Sequence, residues 1–249
     1  VKNLRRACLE KYCCGCGLCN NYKKGEIDSK GFFRPNFKEM PETFDTSVCY
    51  CNNMAQIVQE DMWGKIETAY LGFSNDANIR NMASSGGILT EVACYLLKNK
   101  IVDYVVQSKV SKDNPLRTEI IYSKTLEDVI SCCGSRYTAS APLLDLIEKL
   151  QRGKKYAIIG KPCDIQVLRK YINLHKELQK SIIYLISFFC AGTPSYQANL
   201  NLLNKLRVKE ADVQQLTYRG NGWPGKTSVL TKEGKIVDIE YEESWCEIL

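Results

Sequence analysis

The pattern of apolar positions divides the chain into two parts. From residue 66 onward, apolar residues recur at helical or strand spacing, whereas residues 1–66 are rich in Cys, Gly, Lys and Asn and have little apolar periodicity. Turn sequences at 28–31 and 34–35 interrupt this first part. We expect residues 1–66 to form a Cys-rich segment held by a metal rather than by a hydrophobic core, and residues 67–249 to form a separate globular domain.

The second part alternates between helical and strand patterns. Apolar spacing predicts a helix that starts at Ile88, with Ser84 or Ser85 as its N-cap. Similar spacing predicts three further helices, at 142–150, 165–171 and 194–206. Runs of β-branched and aromatic residues predict three strands, at 101–106, 156–159 and 181–189. Strands that alternate with helices through short connections are typical of a mostly parallel sheet flanked by helices.

The C-terminal part contains strand patterns without helices between them. These strands are predicted at 216–219, 227–231 and 236–241, and the last two are joined by a Gly-containing turn at 233–235. The expected fold is therefore α/β: a mostly parallel sheet flanked by helices, a small Cys-rich N-terminal iron–sulfur segment and a C-terminal β-hairpin appendage.

Composition and charge exclude several classes of protein. A chain with 45% hydrophobic and 25% charged residues is not disordered, collagen-like or of low complexity. Its longest apolar stretch, at 182–189, is shorter than the roughly 20 residues of a membrane span. The N-terminus carries no readable signal peptide, so we expect a cytoplasmic, reducing location. The net charge of +6 comes from scattered lysines and predicts no nucleic-acid surface. His175 is the single histidine, which excludes histidine-based triads and histidine-rich metal sites.

Seven of the 13 cysteines fall in the first 51 positions. Cys13, Cys16 and Cys19 have the C-x2-C-x2-C spacing of iron–sulfur motifs, and the intervening glycines permit the turns that would direct three thiolates at one centre. No fourth cysteine follows at the usual distance, so Cys49 or Cys51 is the expected fourth ligand. A zinc site is the alternative, although it normally uses two separated C-x2-C pairs. Within this scheme Cys8 and Cys14 are surplus.

Eight short motifs occur in a fixed order along the chain. They lie at 13–19, 28–35, 48–49, 83–87, 134–137, 160–163, 189–195 and 218–225. This order resembles the coenzyme F420 hydrogenase/dehydrogenase beta-subunit family of iron–sulfur flavoproteins, which includes the hydroxymethyl-chlorophyll reductases. The chain departs from the family pattern at Cys51 and at Ala191, where a histidine is common. The family usually continues into a second cysteine group, so the chain is expected to be C-terminally truncated.

The resemblance implies two cofactors, FAD and a [4Fe–4S] cluster, with Cys49 preferred as the fourth cluster ligand beside Cys13, Cys16 and Cys19. Four motifs would bind the flavin: Ser84, Ser85, Gly86 and Gly87; Ser135, Arg136 and Tyr137; Gly160, Lys161 and Pro162; and Arg219, Asn221 and Trp223. A helix N-terminus suits a pyrophosphate, and ligands of parallel sheets bind beyond the carboxyl ends of the strands. Lys161 and Cys163 are the expected catalytic residues, although Cys163 is also a candidate cluster ligand or packing residue.

Together the two cofactors imply an oxidoreductase that links a one-electron carrier to a two-electron substrate. The carrier would be ferredoxin or another electron-transfer protein, and the substrate would be the deazaflavin F420 or another small molecule. Two alternatives remain open: a non-catalytic electron-transfer subunit of a larger complex, and a zinc-stapled binding module without flavin. Assembly into an oligomer is compatible with each of them.

Overall fold

The computed structural model describes residues 13–20, 26–35, 44–49 and 66–248. Within these residues the helices are α1 (Ala77–Met82), α2 (Ile88–Lys98), α3 (Leu126–Ile130), α4 (Leu146–Lys149), α5 (Pro162–Leu174), α6 (Tyr196–Lys205) and α7 (Tyr241–Ile248). Short 3-10 turns lie at Leu18–Asn20, Thr46–Val48, Lys176–Lys180 and Glu210–Asp212.

The described strands form three sheets. They are β1 (Glu26–Ile27), β2 (Phe33–Arg34), β3 (Tyr104–Val110), β4 (Thr118–Ser123), β5 (Tyr156–Ile159), β6 (Ile182–Ile186), β7 (Val213–Thr217), β8 (Lys226–Thr231) and β9 (Ile236–Glu240). The central sheet has the order β4-β3-β5-β6, in which β3, β5 and β6 are parallel and β4 is an antiparallel edge strand. The predicted α/β class with a mostly parallel sheet is therefore confirmed.

Strands β3 and β5 of the central sheet are covered on both faces, and their successive side chains point to opposite sides. On one face, apolar residues of β3 and β5 pack against α5 to form the α5-side core: Tyr104, Val106, Tyr156, Ile158, Ile165 and Leu168. On the other face, the alternate positions pack against α1 and α2 to form the α2-side core: Val105, Ala157, Ile159, Ile79, Ala93 and Leu96. This two-sided burial explains why β5 is an uninterrupted apolar run, which is the pattern expected of an internal parallel strand.

The described residues of the N-terminal segment extend the α5-side core. Leu18 and Val48 are each 1% exposed and belong to the same apolar cluster as Tyr156 and Leu168. These two contacts show that the segment contributes apolar side chains to the sheet, whereas the sequence led us to expect little burial there. The division into domains at 1–66 and 67–249 remains a prediction.

The C-terminal part forms an antiparallel sheet of three strands, β7-β8-β9. The predicted hairpin is confirmed, with β8 paired to β9 around Gly234. Helix α6 packs on this sheet through Leu202 and Leu203, in a core separate from the two around the central sheet. Helix α7, which follows β9, was not predicted.

Three local predictions differ from the structure. The N-cap of α2 is Gly87, at φ +80°, rather than Ser84 or Ser85. A side chain at Gly87 would come within 3.0 Å of Ile79, so close packing against α1 determines this cap. The helix predicted at 142–150 consists of a turn followed by the four residues of α4. Strand β4 was missed because it follows β3 through a turn, without the helix that the βαβ pattern led us to expect.

In the part of the chain that the structure describes, no helix has the length and apolar character needed to cross a membrane.

Truncation of Leu18 tests whether the N-terminal segment is part of the core. We expect Leu18→Ala to lower the free energy of unfolding by about 2–5 kcal/mol, because it removes a buried side chain. Leu71→Ala is the matched control: Leu71 is fully exposed, and its truncation should change stability by less than about 0.5 kcal/mol. Urea unfolding followed by circular dichroism measures both variants, and equal midpoints would contradict the packing of Leu18.

Candidate functional site

The cysteine motif forms a tight loop shaped by two glycines. Gly15 and Gly17 have φ values of +69° and +87°, as predicted for a loop that turns its cysteines inward. A side chain at Gly15 would approach the Phe33 carbonyl oxygen to 2.9 Å, and one at Gly17 would approach the Leu144 nitrogen to 2.9 Å. Glycine is therefore required here both by the backbone conformation and by the surroundings.

Residues outside the motif support this loop. The Arg34 guanidinium donates to the Cys13 carbonyl at 2.6 Å and pairs with Asp28 at 3.3 Å. Backbone hydrogen bonds and this cation hold the pKa of Asp28 below its usual value, although burial opposes the shift. The Leu143 N–H donates to the Cys16 carbonyl at 2.9 Å. Arg34 was included in the sequence motifs, but its contact with the cysteine loop was not predicted.

Cys13, Cys16 and Cys19 lie within electrostatic range of one another, with Cys16 the most buried. Burial and the neighbouring Cys13 together raise the pKa of Cys19 to about 12. Among the described residues, no three sulfur atoms from Cys13, Cys16, Cys19 and Cys49 lie within 4.8 Å of one another. Sulfur ligands of one tetrahedral zinc ion are about 3.8 Å apart, so no three of these described thiols are arranged as zinc ligands.

Cys14 is not surplus in the structure. Its sulfur lies close to that of Cys163, at the start of α5, and the neighbouring Cys16 thiol helps to raise the pKa of Cys14. The sulfur atoms of Cys14 and Cys163 and a carboxylate oxygen of Asp164 all lie within 4.8 Å of one another. The neighbouring Cys14 thiol, together with burial, raises the pKa of the Cys163 thiol. The structure therefore connects the first motif with the motif at 160–163.

Lys161 and Asp164 form a buried ion pair beside these thiols. The Lys161 ammonium lies 2.8 Å from Asp164 Oδ2 and donates to the backbone and hydroxyl oxygens of Ser140 at 3.3 and 3.1 Å. Burial acts to lower the pKa of Lys161, but the Asp164 carboxylate outweighs it and holds the pKa above its usual value. Lys161 is thus protonated and held by protein groups. Asp164 was not among the residues singled out from the sequence, although a carboxylate three residues after the helix N-cap is a recognisable capping signal.

Three predicted flavin motifs meet around the end of α1. The Ser135 N–H donates to Ser84 Oγ at 2.7 Å, and the Gly222 N–H donates to the Asn81 carbonyl at 3.0 Å. Gly220 lies against the Met82 carbonyl, where a side chain would come within 2.7 Å. The loops at 83–87, 134–137 and 219–225 therefore form one assembly on the α2 side of the sheet, which we call the three-loop site.

The three-loop site contains two guanidinium groups with unused hydrogen-bonding capacity. The Nε atoms of Arg136 and Arg219 are buried and have no hydrogen-bond partner. Arg136 donates through Nη1 to the Ser135 carbonyl, and Arg219 lies over the Tyr241 ring at 4.6 Å. Burial lowers the pKa of Arg136. No carboxylate of the described residues forms an ion pair with either arginine.

Other predicted site residues differ in their surroundings. Tyr137 packs with Tyr218 and Trp245 and shares a hydroxyl contact with Tyr241, which makes it a core residue. Ser85, Asn221 and Trp223 are exposed at the edge of the three-loop site. Gly160 and Pro162 shape the junction between β5 and α5, and Ser187 donates to the Gly160 carbonyl.

Two relatives are similar in sequence to more than two thirds of this chain. The beta subunit of coenzyme F420 hydrogenase from Methanococcus voltae is 24% identical over 196 residues, which are 75% of this chain and 68% of the relative. The beta subunit of F420-dependent formate dehydrogenase 1 from Methanococcus maripaludis is 31% identical over 175 residues, which are 68% of this chain and 43% of the relative. The chain thus spans less than half the length of the second relative.

A solved structure has a similar fold. It is a chain of the F420-reducing [NiFe] hydrogenase complex from Methanosarcina barkeri, with a TM-score of 0.54 and 22% identity. The match covers 73% of this chain and 66% of that chain. At this level of identity the similarity concerns the fold.

Two family models match the chain in succession. The N-terminal model of the coenzyme F420 hydrogenase/dehydrogenase beta subunit matches residues 69–148, and the C-terminal model of the same subunit matches residues 153–248. The two ranges contain the three-loop site and the β5–α5 junction, in the order in which the sequence motifs occur. The chain belongs to the coenzyme F420 hydrogenase/dehydrogenase beta-subunit family.

Proposed function

We propose that this protein is an iron–sulfur flavoprotein oxidoreductase. It passes electrons between a one-electron carrier of the ferredoxin type and a two-electron substrate, through FAD and a [4Fe–4S] cluster. The observation that carries this proposal is the pair of guanidinium groups at the three-loop site whose buried Nε atoms have no hydrogen-bond partner, in a chain of this family.

The three-loop site fits the phosphate part of a flavin dinucleotide. Buried donors without a partner are costly, and a bound anion would satisfy the Nε atoms of Arg136 and Arg219. Gly86 and Gly87 precede α2, whose N-terminus favours negative charge. A flavin, when bound, supplies the exchange between one-electron and two-electron transfer. In this arrangement the arginines bind the phosphates, and Trp223 is placed at the rim to cover the ligand.

Residues 13–19 precede both ranges matched by the family models, so the cluster proposal is argued from the cysteine loop itself. Three cysteines lie on one loop, and two glycines with positive φ turn it. Cys49 is the proposed fourth ligand. Lys161, at the strand end between the loop and the sheet, would position its charge toward the flavin while it remains paired with Asp164.

The two-electron substrate is proposed by analogy with the relatives. Both are named as subunits of F420-dependent enzymes, a hydrogenase and a formate dehydrogenase. A deazaflavin is therefore the first substrate to test, and a subunit role within a larger complex is the favoured form of the activity.

Anaerobic purification tests the whole proposal: flavin and iron should co-purify with the chain. A colourless protein without either would contradict it, and cofactor-loaded protein that turns over only with added subunits would support the subunit role.

Substitution of the two arginines tests the flavin site. We expect Arg136→Met and Arg219→Met each to weaken FAD binding by about tenfold to a hundredfold, because each removes a charge-assisted hydrogen bond to phosphate. Arg169→Met, on the exposed side of α5, is the matched control and should bind FAD normally. Fluorescence titration with FAD measures the affinities. Unchanged affinity in both site variants would show that the phosphates bind elsewhere.

Substitution of Cys16 tests the cluster ligands. We expect Cys16→Ser to lose most of its iron and the absorbance of the cluster, since a hydroxyl is a poor replacement for a thiolate that binds a cluster iron. Cys132→Ser replaces a partly buried cysteine outside the motif and should keep its iron. Iron and acid-labile sulfide are measured on anaerobically purified protein. Full iron content in Cys16→Ser would overturn the ligand assignment.

A further inference from the structure

Arg219 of the three-loop site is stacked on an aromatic ring from α7. Its guanidinium carbon lies 4.6 Å from the centre of the Tyr241 ring, and its buried Nε has no hydrogen-bond partner. A cation over an aromatic face is attracted by the electrons of the ring, so this contact uses none of the N–H donors of the guanidinium. Tyr241 therefore holds Arg219 in place and leaves the donor at Nε available to a ligand.

The Tyr241 ring is itself held by two neighbouring aromatic side chains. Its hydroxyl accepts a hydrogen bond from Trp245 Nε1 and lies 3.2 Å from the Tyr137 hydroxyl. The ring centres of Tyr137 and Trp245 are 4.6 Å apart, and those of Tyr241 and Trp245 are 5.8 Å apart. Trp245 follows Tyr241 by four residues in α7, which places both side chains on the same face of the helix. Arg219 thus lies on a ring whose orientation is fixed by its surroundings.

Two buried hydroxyl groups join the start of α7 to the residue before Arg219. Ser244 Oγ donates to the Tyr241 carbonyl at 2.6 Å, and Thr227 Oγ1 lies 2.8 Å from Ser244 Oγ and 3.0 Å from the Tyr218 carbonyl oxygen. Both hydroxyl side chains are fully buried. The backbone that carries the cation and the backbone that carries the ring are therefore held at a fixed distance.

Such an arrangement lowers the cost of binding an anion. A free arginine side chain has many rotamers, and a ligand that it contacts must pay for ordering them. The stack on Tyr241 orders Arg219 before a ligand arrives. The gain applies only to ligands with a group that Arg219 contacts, which in the proposed flavin site is a phosphate.

We propose that Tyr241 is the positioning residue of Arg219 and determines how strongly the three-loop site selects ligands with a diphosphate. This inference rests on the proposed function, in which Arg219 binds a phosphate of FAD. Tyr241 then acts on FAD and on ADP, which both carry a diphosphate, and has no effect on riboflavin, which carries no phosphate.

Titration of the full chain with FAD, ADP and riboflavin tests the proposal. We expect Tyr241→Leu to weaken the binding of FAD and ADP by about 3- to 30-fold, because it removes the cation–π contact, and to leave riboflavin within about twofold. Tyr241→Phe keeps the ring and should retain the FAD affinity within about threefold. Tyr70→Leu replaces an exposed tyrosine without a described ring contact and should bind all three ligands normally. If Tyr241→Leu does not fold, Tyr241→Met, which also lacks the ring, takes its place.

A double variant shows whether Tyr241 acts through Arg219. In an Arg219→Met background, Tyr241→Leu should cause no further loss of ADP affinity, because the side chain that it positions is already absent. An additional loss of the same size as in the unchanged background would overturn the proposal. Equal losses for FAD, ADP and riboflavin in Tyr241→Leu would assign a merely structural role to the ring and would overturn it as well.

The ADP measurement separates this proposal from the proposed function. Binding of ADP without any binding of flavin would contradict the flavin site, while the response of ADP to Tyr241→Leu would still decide the role of Tyr241. Binding of FAD and ADP with affinities unchanged by Tyr241→Leu would overturn the role of Tyr241 alone. A chain that binds neither FAD nor ADP would overturn both.

Discussion

The buried ion pair between Lys161 and Asp164 is the interaction on which the site depends. Two charges removed from water are stable together only if their remaining hydrogen-bonding groups are satisfied. Lys161 meets this condition through Asp164 and Ser140, which fixes the end of β5, the start of α5 and the segment that leads from the three-loop site. Only one of the two carboxylate oxygens of Asp164, Oδ2, has hydrogen-bond partners. The ion pair therefore holds these segments together and also leaves Asp164 Oδ1 able to accept a hydrogen bond.

The candidate chemistry lies on both sides of one sheet. The cysteine loop packs on the α5-side core through Leu18, and the three-loop site is built on α1 and α2 on the opposite side. The segment at 134–140 runs between them, since Ser135 contacts Ser84 and Ser140 contacts Lys161. The family models match residues 69–148 and 153–248, which contain the sheet and the three-loop site, whereas the cysteine loop lies outside these ranges and its chemistry is argued from its own residues.

Features that depend on residues adjacent in the sequence could be predicted from the sequence. The apolar run of β5 and the positive φ of Gly15 and Gly17 follow from local composition and turn chemistry. The contact between Cys14 and Cys163 could not be predicted in this way, because the residues are far apart in sequence and only the fold brings them together. The predicted cap of α2 was wrong for the same reason: a glycine is required at position 87 by its contact with Ile79, and not by the helix itself. Asp164 could have been found from its position three residues after Lys161, at a strand-to-helix junction.

The separation of the two sheet cores has an evolutionary consequence. The α5-side and α2-side cores share no side chain, because alternate residues of β3 and β5 belong to one or the other. Substitutions on opposite faces therefore have few common neighbours, and effects of such distant sites on stability are close to additive. A lineage could remodel or lose the cysteine loop on one face while the loops on the other face kept their packing. The sheet thus acts as a partition between the cysteine loop and the three-loop site, so that either can change without disturbing the packing of the other.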